Sequence, residues 1–107
     1  MPTTVLAIDD EPDVLELLEY NLTREGFSFI YAGDGRAGLE LAKKKRPDVI
    51  LLDVMLPGLD GIDVCRALKA SSDTESIPVL MLSARGEEVD VVLGLGVGAS
   101  GHKSKKR

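Results

Sequence analysis

Residues Val49-Ile50-Leu51-Leu52 run directly into Asp53, and two turn signals follow at once, Pro57-Gly58 and Asp60-Gly61. A short unbroken run of apolar, mostly branched side chains reads as a strand buried on both faces, as in the interior of a parallel sheet. The turn residues then end it. Asp53 therefore falls where a buried strand opens into a loop, and in open α/β sheets that end of the strands is where ligands bind. A carboxylate fixed there reads as a metal ligand, a nucleophile or both; the plainer reading is a solvated acid that merely ends a strand.

The rest of the chain repeats the theme. Val5-Leu6-Ala7-Ile8 is a second apolar run ending in acids, Asp9-Asp10-Glu11. Pro12 suits the first turn of a helix, where its missing N–H costs nothing. Val14, Leu17, Leu18 and Leu22 recur at helical spacing, and Gly26 stops the pattern. A strand is expected over 27–32, a turn at Gly33-Asp34-Gly35, and a helix over 37–44 with Leu41 and Ala42 inward. After the central strand, Asp60 is a candidate N-cap for a helix that buries Val64, Cys65 and Leu68. A polar loop over 71–76 leads to a buried strand over 79–82 that ends at Ser83. Glu87 and Glu88 favour the start of a fourth helix through the macrodipole. Strands alternating with helices imply a parallel sheet covered on both faces, joined by right-handed crossovers. The size suits an α/β, flavodoxin-like, doubly wound sheet of strand order 2-1-3-4-5.

The totals narrow the function. At 107 residues the sequence is expected to form one domain, without repeats or an interdomain linker. No apolar run is long enough to span a membrane, and Met1-Pro2-Thr3-Thr4 lacks the basic and apolar regions of a signal peptide. A single cysteine, Cys65, fits a reducing cytoplasm and reads as a core thiol. The net charge of −5 hides an asymmetry. Lys103, Lys105, Lys106 and Arg107 crowd the end, so residues 1–102 hold 9 basic and 18 acidic side chains. An acidic body does not suit direct nucleic-acid binding, which needs clustered Lys and Arg.

Asp9, Asp10 and Asp53 all fall at the C-terminal ends of strands expected to be neighbours. Three carboxylates that close repel one another unless a cation neutralises them. A hard divalent ion such as Mg2+ is the natural partner, taking one or two carboxylates together with water and phosphate oxygens. Carboxylates also serve as nucleophiles toward phosphorus. The competing reading is an acidic loop that only caps the first helix. Ser83 ends the fourth strand on the same edge, where its hydroxyl suits a phosphoryl oxygen. Gly96-Val97-Gly98-Ala99-Ser100-Gly101 matches G-x-G-x-x-G letter for letter, but no strand is expected before it and no helix after it, so it is not read as a dinucleotide site.

Taken together, Ile8-Asp9-Asp10-Glu11, the stretch from Leu51 to Gly61, and Leu82-Ser83-Ala84-Arg85-Gly86 resemble a response-regulator receiver domain of two-component signalling. The likeness is greatest to receivers that precede a winged-helix DNA-binding domain, and it runs from about Val5 to Gly98. It implies that Asp53 is the phosphoacceptor and Asp10 a direct Mg2+ ligand, with Asp9 acting close by or through water. It further implies that Met55 offers its backbone carbonyl to the metal and that Ser83 is the switch hydroxyl. Such a domain is a phosphoprotein and not a conventional enzyme: it catalyses only its own phosphorylation and dephosphorylation. The phosphoryl group comes from a histidine kinase, a phosphotransfer protein or a small phosphodonor, and the added charge biases a two-state surface.

The resemblance weakens at the end, where residues 99–107 form an atypical basic tail. The family usually continues Gly-Ala-Asp-Asp-Tyr-x-x-Lys-Pro; this chain reads Gly98-Ala99-Ser100-Gly101-His102-Lys103-Ser104-Lys105-Lys106. Lys105 falls on the phosphate-contacting lysine and His102 on the switch aromatic, yet the fifth strand, expected near 101–105, has lost its apolar residues and no fifth helix follows. The fourth strand then becomes an edge, with unpaired backbone on an apolar strand. An atypical homodimer through that edge is the expectation. Two other functions compete: a non-switching interaction or scaffold domain, and a Mg2+-dependent phosphatase using Asp53. The phosphatase class usually has a second acid two residues after the nucleophile, where this chain has Met55.

Overall fold

The computed structural model describes residues 2–84 and 89–93. The elements follow in the order β1 (Thr4–Ile8), α1 (Pro12–Arg24), β2 (Ser28–Ala32), α2 (Gly35–Lys45), β3 (Val49–Asp53), α3 (Gly61–Ala70), β4 (Val79–Ala84) and β5 (Val89–Leu93). They build a sheet of order β2-β1-β3-β4-β5. The first four strands are parallel, in register Val5↔Phe29, Val5↔Val49 and Leu51↔Leu80. This is the doubly wound, flavodoxin-like arrangement expected from the alternating pattern. Right-handed crossovers put α1 on one face and α2 and α3 on the other, because the chain moves outward from β1 to β2 and then back across to β3 and β4.

The core lies on the α2–α3 face. Leu6 and Ile8 of β1 and Ile50 and Leu52 of β3 are fully buried against Ala42 of α2 and Val64 and Leu68 of α3. Gly38 lets α2 lie directly on β1: a Cβ there would stand 2.8 Å from Ile8 Cγ1. Asp34 and Asp60 cap α2 and α3, accepting hydrogen bonds from the N–H groups of Ala37 (2.8 Å) and Asp63 (3.1 Å). Cys65 is buried, as its place in the apolar pattern required, and burial pushes its thiol above the ordinary value against a smaller opposing effect of Lys69 and Arg66. Pro12 opens α1, and Gly26 follows its end at φ +92°. Leu17, expected to face inward, is instead 61% exposed, and no residue of α1 is fully buried. The helix turns Val14, Leu18 and Leu22 inward at i, i+4 and i+8, which leaves Leu17 on the outer side.

The structure departs from expectation after β4. A helix running on from Glu87 does not form over Val89–Leu93; these residues pair antiparallel with β4, in register Met81↔Val92 and Ser83↔Asp90. Val89, Val91 and Val92 are β-branched and favour a pleated strand over a helix. The apolar β4 also gains a partner for backbone groups that would otherwise be left open. The fifth strand of the 2-1-3-4-5 order thus comes from 89–93 and runs opposite to the others. A homodimer built on an exposed β4 edge loses its premise, since β5 occupies that edge. The tail over 99–107, with the expected fifth strand near 101–105, lies outside the described residues. Among the described residues no helix is long and apolar enough to cross a membrane.

Candidate metal and phosphoacceptor site

The parallel register sets the site. β1 and β3 are adjacent with Ile8 opposite Leu52, so the residues that follow, Asp9 and Asp53, leave the sheet side by side. One carboxylate oxygen from each of Asp9, Asp10 and Asp53 lies within 4.8 Å of the others. The three differ in exposure: Asp9 is buried, Asp53 is half-buried and Asp10 is exposed. The Asp9 carboxylate accepts from the Glu11 N–H at 2.8 Å, and the Asp53 carboxylate accepts from the Met55 N–H at 3.1 Å.

Burial raises the Asp9 pKa to about 6; the hydrogen bond from Glu11 opposes the rise, and the negative charges of Asp53, Asp10 and Glu11 add to it. A group in that position stays ionised at neutral pH only at a cost, and a cation nearby removes that cost. All three side chains offer hard oxygen donors and no soft ones, the chemistry that suits Mg2+ more than zinc or copper. The donor set therefore fits a small divalent cation.

The loop after Asp53 is held in place by backbone. Val54 N–H donates to the Leu82 carbonyl at 3.2 Å, fastening the loop to β4. Gly58 takes φ +71°, the left-handed region open to glycine, and lets the loop turn back toward α3. Gly61 N–H then donates to the Val54 carbonyl at 3.1 Å. A Cβ on Gly61 would meet the Asp53 carbonyl oxygen and lie 2.7 Å from Val54 Cα. Sequence reasoning assigned Gly61 only to a turn. Its position beside the N-cap Asp60 was the available signal.

Asp9, Asp10 and Asp53, singled out from the sequence, are thus brought together. Met55 stands in the loop two residues on, its amide bonded to Asp53 and the residue 64% exposed. Ser83 lies on β4 one residue beyond Leu82, which pairs with Asp53 across the sheet. Lys105 and His102 are outside the described residues.

A parallel α/β sheet with an acidic triad at its carboxyl edge defines a class, and comparison with known proteins makes it specific. The family model for the response regulator receiver domain matches residues 5–107, and the chain belongs to that family, whose members are the receivers of two-component response regulators. Among curated proteins it is 47% identical, over 98% of this chain and 43% of the relative, to the alkaline phosphatase synthesis transcriptional regulatory protein PhoP of Bacillus subtilis. It is 46% identical, over 98% of this chain and 45% of the relative, to the DNA-binding response regulator MtrA of Mycolicibacterium smegmatis. The chain thus spans less than half the length of these relatives. Among solved structures, a putative response regulator from Chloroflexus aurantiacus superposes with TM-score 0.76 at 37% identity, covering 81% of this chain and 71% of the other. The receiver domain of a Pseudomonas aeruginosa sensor histidine kinase, which carries a magnesium ion in its active-site cleft, superposes with TM-score 0.72 at 27% identity, covering 76% and 66%.

Proposed function

We propose that this chain is a phosphoacceptor module in which Asp53 receives a phosphoryl group from a histidine kinase, a phosphotransfer protein or a small phosphodonor. The observation that carries the reading is the convergence of the three carboxylates, with one of them buried and held at a raised pKa. Such a cluster is costly to the fold and is retained where it does chemistry. Its setting in a receiver family and the magnesium in the Pseudomonas aeruginosa relative support the same reading.

Asp10 and Asp53, with Asp9 close by and the Met55 carbonyl, would hold Mg2+. When bound, the ion neutralises charge on the phosphoryl oxygens and on the acids around them. The remaining work falls to the chain. A carboxylate oxygen of Asp53 attacks phosphorus in line; the new O–P bond forms as the P–N bond to the donor imidazole breaks, and the imidazole nitrogen takes a proton as it leaves. The Met55 N–H, bonded to Asp53 Oδ1, would help to orient the carboxylate for that attack. Ser83, at the end of the neighbouring strand, would turn its hydroxyl to a phosphoryl oxygen, and Lys105 and His102 would complete the switch as the family pattern implies. In a longer protein the output would be regulation of transcription through a DNA-binding partner domain, as the names of the relatives suggest.

Intact mass after incubation with acetyl phosphate and Mg2+ tests the reading. The native chain is expected to gain one phosphoryl group and Asp53→Asn none. Equal gain by both, or by neither while both are folded and bind Mg2+, overturns it, and the second outcome favours a non-switching scaffold.

A further inference from the structure

A second surface lies apart from the acidic cluster, where β2 forms one outer edge of the sheet and α2 runs beside it. A groove of about 730 Å³ opens there, lined by Tyr31 of β2 and by Arg36, Leu39, Glu40, Lys43 and Lys44 of α2 among others. None of its residues belongs to the carboxylate site.

Two features of the groove point to one kind of occupant. The first is an open strand edge. Ser28 N–H donates to the Thr3 carbonyl, and the Ala32 carbonyl accepts from the Asp9 N–H, so both residues turn their backbone toward β1. In a parallel ladder the intervening alternate residues turn the other way. The N–H and C=O groups of Phe29 and Tyr31 therefore face outward, and no strand pairs with them among the described residues. Tyr31 is 57% exposed and stacks its ring near that of Phe29, with centroids 6.2 Å apart. The second feature is charge. Residues 2–84 hold 15 acidic and 8 basic side chains, yet 5 of those 8 are Arg36, Lys43, Lys44, Lys45 and Arg46, on or just after α2. Arg46 pairs with Asp73; Arg36, Lys43 and Lys44 form no ion pair among the described residues. Arg36, Lys43 and Lys44 outweigh Glu40 in the lining, so a net positive groove stands beside a strand edge that no described residue pairs, on an otherwise acidic body.

We infer that the β2 edge and α2 form a docking groove for an extended acidic peptide segment of a partner protein, which adds to the sheet as a strand beside β2. Backbone pairing to Phe29 and Tyr31 supplies affinity, and acidic side chains on alternate positions reach Arg36, Lys43 and Lys44. The chain's own end is a poor occupant, because Lys103, Lys105, Lys106 and Arg107 carry the same sign as the groove. A second copy paired β2 to β2 is opposed for the same reason, since it would set two cationic α2 helices side by side.

The test uses the full 107-residue chain and a fluorescein-labelled peptide of alternating Glu and Val, with a Lys-Val repeat and polyglutamate as controls. Anisotropy is expected to show binding of the Glu-Val peptide alone, and amide shifts in NMR are expected to centre on Phe29 and Tyr31. Reversing the exposed pair Lys43→Glu and Lys44→Glu should weaken binding by roughly tenfold or more, the scale of two lost surface charge contacts. Tyr31→Pro removes an outward N–H without touching the β1 ladder and should abolish binding. Should Tyr31→Pro misfold, the amide shifts and the charge-reversed chain still decide the matter. The inference is overturned if the Glu-Val peptide does not bind. It is overturned equally if polyglutamate binds as well as the Glu-Val peptide, which would make α2 a plain electrostatic patch. Concentration-dependent dimerisation centred on the Phe29 and Tyr31 amides, without peptide binding, would assign the edge to a second copy and overturn it too.

Discussion

Gly61 stands directly against the backbone of Asp53: its N–H bonds the Val54 carbonyl at 3.1 Å, and a side chain there would collide with the Asp53 carbonyl oxygen. The start of α3 and the end of β3 are thus a single packed unit, and the carboxylate is aimed by a helix whose first residue has no Cβ. Gly61→Ala must push this contact apart, and the atoms it meets are backbone, which cannot swing away. A loss of about 1–3 kcal/mol is expected, the usual cost of overpacking. Urea unfolding measures that loss. Phosphorylation by acetyl phosphate should slow in the part of the population that remains folded. An unchanged rate would show that the loop does not aim Asp53.

How far the sequence foretold this site depends on what each residue needed. Asp9, Asp10 and Asp53 were readable because each ends an apolar run, and a parallel sheet gathers strand ends at one edge whatever the details of packing. Asp60 was readable as a cap because its chemistry is local: an acid just before an apolar helical pattern. Leu17 misled because helical spacing marks a face only loosely, and a shift of one residue changes which side is buried. Val89–Leu93 misled more seriously. Its acidic lead-in, Glu87 and Glu88, suits a helix start, and the competing preference of Val89, Val91 and Val92 for a strand is decided by a neighbour, β4, that local sequence does not reveal.

The loop between α3 and β4 carries a buried polar group that no local pattern marks out. Thr74 is fully buried, and its hydroxyl donates to the Leu68 carbonyl at 2.6 Å, tying the loop to the last turn of α3. Thr74→Val keeps the shape and removes the donor. The expected cost is about 1–2 kcal/mol in urea unfolding, since the Leu68 carbonyl retains only a long bond of 3.5 Å from the Ser71 N–H. Phosphoryl uptake at low denaturant should stay unchanged, because the loop is at the opposite end of the sheet from Asp53.

Lys69 fastens the same loop from outside. Its ammonium donates to the carbonyls of Glu75 at 3.0 Å and Ile77 at 2.8 Å, so one side chain spans the approach to β4. Lys69→Met keeps the aliphatic stem and removes both bonds. A loss of about 1–2 kcal/mol is expected, with faster amide exchange confined to residues 71–78. Exchange that quickens throughout the sheet would instead mean that Lys69 supports the whole fold.

The raised pKa of Asp9 makes a prediction about pH and metal together. The folded carboxyl titrates near 6, above its ordinary value of 3.8. Between those values the folded state holds a proton that the unfolded state has lost, so folding stability falls as pH rises through that window and stays low above it. The loss is on the order of 2–3 kcal/mol in metal-free protein, because one pKa unit is worth about 1.4 kcal/mol. Mg2+ should restore it, and should raise the melting temperature more at pH 7.5 than at pH 5. Asp9→Asn keeps an oxygen to accept from the Glu11 N–H while removing the charge. It should therefore flatten the pH dependence, stabilise the metal-free chain at neutral pH and shrink the stabilisation by Mg2+. Thermal unfolding from pH 4 to 8, with Mg2+ and with EDTA, gives the answer. A native chain whose metal-free stability tracks that of Asp9→Asn across that range would show that Asp9 is not held in the buried, crowded state that the cluster geometry describes.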